Sequence, residues 1–136
     1  MIGQASTRLE FAVAMWLEGQ VSVPVYSVTQ TDAKSLPCVV VRAGAVSQPA
    51  FPDNFFSASL DIVLISAAPQ TPISTHRSIE DSLHRALTDY LAARADVDDG
   101  VKLSGFRLAT IECDYQENRT ATTWVVEVDF CLVDNS

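Results

Sequence analysis

Two long segments near the end of this chain, Leu103 to Tyr115 and Thr120 to Val133, place apolar and polar residues in alternation. In the second, Trp124, Val126, Val128, Phe130 and Leu132 recur with period two. Successive strand side chains point to opposite faces, so this pattern buries one face of a hairpin and does not suit a helix. The partners expected across that hairpin are Phe106, Leu108 and Thr110. Phe56, Ala58, Leu60, Ile62 and Leu64 alternate in the same way and predict another half-buried antiparallel strand. Between these strands, Ile79, Leu83, Ala86, Leu87, Tyr90 and Leu91 fall on one helical face within an amphipathic stretch from Thr75 to about Arg94.

The first half adds a second helix and shorter strands. Leu9, Ala12, Val13, Trp16 and Leu17 share a stripe in a helix from Ser6 to Glu18, with Thr7 and Glu10 spaced as a capping box. Phe11, Ala14 and Met15 lie off that stripe, so this helix is apolar almost all round and calls for a second covering surface, either core or a neighbouring subunit. Val21 to Val28 alternates, but Pro24 cannot donate a ladder hydrogen bond, which predicts an edge strand or one entered at Val25. Cys38 to Arg42 reads as the next strand, and residues 43–54, with Pro49 and Pro52, as an irregular loop. Asp96, Asp98, Asp99 and Gly100 read as a polar turn. The fold expected is α+β: a mostly antiparallel sheet of four to five strands packed by two helices, in the order α-β-β-β-α-β-β. The length of 136 residues fits a single domain over residues 1–136.

Composition narrows the function classes. Hydrophobic residues make up 48% of the chain and charged residues 19%, an apolar balance that suggests a surface covered by a partner. The net charge of −8, with nine scattered Lys and Arg, argues against gripping a nucleic-acid backbone. The start of the chain lacks the pattern of a secretory signal, and no apolar run reaches the roughly 20 residues of a membrane span. Cys38, Cys113 and Cys131 sit in apolar or alternating segments and read as buried thiols in a reducing compartment.

Catalytic signatures do not emerge. His76 and His84 are the only histidines; zinc would need two further ligands, and a solvated helical face is the simpler expectation. The acidic group at Asp96, Asp98 and Asp99 lacks the later bidentate Glu of a calcium loop. Cys113 stands between Glu112 and Asp114, which disfavour its thiolate. There is no Gly-rich phosphate loop and no nucleophile elbow. No catalytic, cofactor-binding or metal-ligating residues are therefore expected, and no cofactor.

The order of elements, with the local stretches Val23-Pro24-Val25-Tyr26, Leu36-Pro37-Cys38-Val39-Val40-Val41 and Leu103-Ser104-Gly105-Phe106-Arg107-Leu108, resembles the tail-terminator or tail-completion proteins of long-tailed bacteriophages over nearly the whole chain. That resemblance implies a structural virion protein rather than an enzyme. It implies a homo-oligomeric, commonly hexameric, ring at the head-proximal end of the tail, assembled in the host cytoplasm. Such a ring ends tail-tube polymerisation and offers a docking surface to the neck or connector protein. Its partners would be further copies of itself, the tail-tube protein and the neck protein. DNA would pass through the channel without specific binding, and no membrane is involved.

Two regions are the expected contacts with the tube or an adjacent subunit. One is the loop carrying Gln48, Pro49, Phe51 and Pro52, where stiffness and apolar area combine. The other is the hairpin tip carrying Tyr115, Gln116, Glu117, Asn118 and Arg119, which reads equally as a solvated turn. A neck or head-completion ring is the alternative within the same class. From other classes, a small-ligand-binding module or an enzyme using Asp61, His84 or Asp129 would show an enclosed pocket or polar groups converging in one cleft.

Overall fold

The computed structural model describes residues 2–27, 36–48, 55–67, 71–90, 96–98 and 100–132. Helix α1 spans Ile2–Glu18 and α2 spans Ile73–Arg85, followed by a π-helical stretch, Ala86–Tyr90. The strands are β1 (Val25–Ser27), β2 (Cys38–Ser47), β3 (Phe55–Ala67), β4 (Asp96–Asp98), β5 (Val101–Tyr115) and β6 (Arg119–Leu132). They form one six-stranded sheet in the order β1-β2-β3-β6-β5-β4. Only β1 and β2 run parallel; the other neighbours are antiparallel. The architecture is α+β as expected, and the added strand is β4, formed by the acidic residues read as a turn. Asp96 pairs with Lys102 and Asp98 with Val101, and Gly100 makes the reversal at φ 76°, a conformation that costs little only without a Cβ.

The sheet is built around the pairing of β3 and β6, which stay in register from Phe55↔Cys131 to Ala67↔Arg119. Alternation decides which face is covered. Phe56, Leu60, Ile62 and Leu64 on β3 and Trp124, Val126, Val128 and Phe130 on β6 are buried, while their sequence neighbours are half-buried or exposed. Phe56 and Phe130 stack across the pair with ring centroids 5.5 Å apart. Both helices add to the same core, α1 through Ala5, Leu9, Ala12, Val13 and Leu17 and α2 with its π-helical extension through Leu83, Ala86 and Leu87. Each large apolar side chain so buried contributes about 1.5–3 kcal/mol. The opposite face of the sheet carries Arg42, Ser57, Asp61, Arg107, Glu127 and Asp129, and no described element packs over it.

Several boundaries move for identifiable reasons. Helix α1 begins at Ile2, so Thr7 and Glu10 are interior residues and not a capping box; Glu10 is instead buried against β2. Residues 43–47, expected in a loop, continue β2 to Ser47 with a register shift between Ala43 and Val46 that absorbs the irregular sequence. Val25 does open an edge strand, and the Pro24 carbonyl accepts a hydrogen bond from the Val39 amide at 2.9 Å. In β5, shifts between Leu103 and Gly105 and between Leu108 and Thr110 change the phase of the strand. Phe106 and Leu108 stay on the core side, half-buried, but Thr110 pairs with Val125 and faces the other way, contrary to expectation. Leu91 lies outside the described residues.

Candidate functional site

Gln48 and the hairpin tip, the described parts of the two expected contact regions, lie at opposite ends of the sheet. Gln48 is exposed just after β2, where Ser47 pairs with Ser57 at the start of β3. Pro49, Phe51 and Pro52 lie outside the described residues. At the other end, Tyr115 pairs with Thr120, and Thr120 with Ser66 near the end of β3. Ser66 lies nine residues beyond Ser57 on β3, which at ~3.3 Å per residue is roughly 30 Å. The residues from Tyr115 to Arg119 are all exposed. Their turn is held by the Gln116 amide donating to the Arg119 carbonyl at 2.8 Å, and by the Gln116 side-chain amide donating to Asp114 at 2.9 Å. The tip is thus an ordered projection, and it does not meet the Gln48 region.

A polar cluster that sequence reasoning missed ties α2 to the sheet. His76 was expected on a solvated face but is 1% exposed. Its Nδ1 is 2.7 Å from Ser66 Oγ and its Nε2 is 2.9 Å from Thr122 Oγ1. Thr122 donates to Glu80 Oε2 at 2.6 Å, so its oxygen is left to accept from His76 Nε2–H. That assignment leaves Nδ1 to accept from the Ser66 hydroxyl, a neutral imidazole with both nitrogens satisfied. Burial lowers the His76 pKa, while the nearby Glu80 opposes that shift. The sequence signal was available: Ser66 and Thr122 interrupt the apolar rows of β3 and β6 as neighbours across the sheet, and buried polar groups require partners.

Cys38 is buried as expected, but Cys131 is half-buried and Cys113 exposed. Cys113 lies on β5 next to the cluster, with its sulfur 3.7 Å from Glu80 and from Thr122. His84 accepts the Trp124 indole N–H at 3.2 Å and borders a cavity of about 210 Å³ with Glu80, Asp81 and Ile111. On the opposite face, Asp61 pairs with Arg42 at 2.7 Å and Asp129 accepts from Ser57 at 2.5 Å. Arg107 and Glu127 form a further exposed ion pair. Asp61 and Asp129 therefore do not converge with His84, and the three groups suggested for an enzyme stand on two faces of the sheet. Among the described residues, no group of three His, Cys, Asp or Glu could hold a metal ion, and no helix is long and apolar enough to cross a membrane.

A concavity of about 460 Å³ on the open face is bordered by Ser47, Ser57, Gly105, Arg107 and Asp129. A Cβ at Gly105 would come within 2.9 Å of an Asp129 carboxylate oxygen, so a larger residue there would have to push that side chain aside. The Asp129 and Arg107 side chains are already engaged with Ser57 and Glu127, so the depression is a shallow polar surface without converging reactive groups.

No model of a known protein family matches the chain, and no curated protein matches it. Among solved structures, it is similar to a chain of the virion of a native gene transfer agent particle. The two align with a TM-score of 0.52 over 94% of this chain and 90% of that one, at 15% identity. The chain shares its fold with that virion chain.

Proposed function

We propose that this protein is a structural virion protein, a single domain that forms a ring at the head-proximal end of a tail tube. The ring ends tube growth and presents its far side to the neck. The observation that supports this reading is that Gln48 and the hairpin tip, the described parts of the two proposed contact regions, lie at opposite ends of the long strands β3 and β6. A subunit with one contact region near Ser47 and another at the hairpin tip, Gln116 to Arg119, can bridge two partners stacked along an axis. The fold shared with a gene transfer agent virion chain supports the same class. A ring requires heterologous contacts, one patch meeting a different patch on the next copy. Each such contact needs roughly 800 Å² per partner. The net charge of −8 supports a channel through which DNA slides without phosphate contacts.

The test is to add purified protein to polymerising tail-tube protein of the same particle and to image the products. Tubes of limited length carrying a ring at one end are expected, and Phe51→Ser should weaken attachment while the folded protein persists. Tubes of unchanged length with bare ends would overturn the reading. Binding to the neck or connector assembly alone would make the protein a head-completion ring.

A further inference from the structure

Among the described residues, two pairs of exposed large apolar side chains lie toward opposite edges of the sheet. On α1, the inward stripe of Leu9, Val13 and Leu17 is fully buried, but Phe11 and Met15, one turn apart on the outer side, are 45% and 48% exposed. With Glu18, Pro24 and Tyr26 they line a groove of about 340 Å³ beside β1, the terminal strand on that side. On β5, the core-facing row starts deeply buried at Val101 and ends exposed at Ile111 and Tyr115, 45% and 53%. The row resumes on the core side after the register shift beyond Leu108, where the helical layer above it ends: α2 covers Ser66, Thr122 and Trp124 but leaves Ile111 and Tyr115 about half exposed. Beside this patch, β4 pairs only with Val101 and Lys102, so among the described residues no strand pairs along the outer edge of β5 from Leu103 to Tyr115. Such an edge is a template for another chain.

We infer that the Ile111–Tyr115 edge of one copy docks on the Phe11–Met15 groove of the next copy. Three features of the molecule specify a second copy as the occupant. The patches are of one character, two large side chains about half exposed on each. Four strand spacings of ~4.8 Å, roughly 19 Å, separate β1 from β5, so the two patches cannot cover each other within one molecule. A head-to-tail pairing covers both at once and leaves one of each free to continue, the property that a closed ring needs. The Tyr115 ring, projecting from a hairpin braced through Gln116, supplies a rigid amphipathic anchor, and the groove between Phe11 and Tyr26 supplies its pocket. This inference rests on the ring reading and assigns the contact on which the ring depends.

Cysteine pairing tests it in the 136-residue chain. Met15→Cys and Tyr115→Cys are made separately, with Cys113 and Cys131 replaced by Ser and the buried Cys38 retained. Mild oxidation of the mixture should yield a disulfide-linked species at least tenfold more abundant than in either variant alone, and circular dichroism should match the unaltered protein. Met15→Glu should weaken self-association at least tenfold by sedimentation. Cross-links in the Met15→Cys or Tyr115→Cys sample alone would mean like-with-like contacts and would overturn the inference. So would the absence of the mixed cross-link across the concentration range. Electron microscopy of the same samples separates the two readings: rings without this cross-link keep the ring and remove the contact, whereas cross-linked open chains keep the contact and remove the ring.

Discussion

Glu10, in the middle of α1, accepts a hydrogen bond from the main-chain amide of Ala43 on β2 at 2.6 Å. Strand β1 pairs with β2 only from Val39 to Val41, so the β2 edge beyond it has no β1 partner. The carboxylate supplies one, fixing α1 against the sheet at the point where β1 ends. Burial raises the Glu10 pKa, and the Ala43 amide and the Arg42 charge partly offset that rise.

Glu10→Ala should cost about 1–3 kcal/mol in denaturant unfolding, because the Ala43 amide is left without its acceptor. Glu10→Gln retains a carbonyl acceptor and removes the buried charge, so its stability at neutral pH should equal or exceed that of the parent. A Gln variant as unstable as the Ala variant would show that the charge, and not the acceptor, matters.

His76→Ala should lose about 2–4 kcal/mol, since it opens a void and strips partners from the buried Ser66 and Thr122 hydroxyls. Thermal unfolding followed by circular dichroism measures the loss. Hydrogen exchange should show α2 deprotected before β3 and β6, because the cluster is its polar tie to the sheet.

The same residue sets a pH dependence. The folded-state pKa of His76 is lowered from the ordinary 6.5, so the unfolded chain takes up the proton first. Its contribution is complete above 6.5 and is lost as the pH falls toward and through the folded value. Glu10 acts with the opposite sign: its folded pKa is raised from 4.5, so its contribution is present below 4.5 and is lost as the pH rises through the folded value. Melting temperatures should therefore fall as the pH drops below 6.5, and His76→Gln should flatten that fall. An unchanged slope in the variant would remove His76 as its source.

Gly100→Ala should cost about 1–2 kcal/mol, because the turn from β4 into β5 holds φ at 76°. Phe56→Ala, which removes one ring of the stacked pair with Phe130, should cost about 3–5 kcal/mol. Equilibrium unfolding of both variants should reproduce that order, with the core substitution the more damaging.

The residues themselves determined the α+β class, the buried rows of β3 and β6, the edge position of β1 and the amphipathic α2. Each of these rests on a local period, and a period of 2 or 3.6 can be read without knowing what packs against it. The apolar outer side of α1, with Phe11 and Met15 off its main stripe, was equally legible as a surface in need of cover. Only the tertiary structure decided the rest. Thr7 and Glu10 match a capping box in spacing, yet the helix starts earlier and Glu10 serves β2, because a carboxylate finds its donor in space and not at a fixed offset. His76 looked solvated because its partners Ser66 and Thr122 lie ten and forty-six residues away. Thr110 changed faces because β5 shifts register after Leu108, and a strand's period carries no mark of where it slips. The separation of Gln48 from the hairpin tip likewise depends on the pairing of β2, β3, β6 and β5, a long-range arrangement fixed by burial and hydrogen bonding between strands.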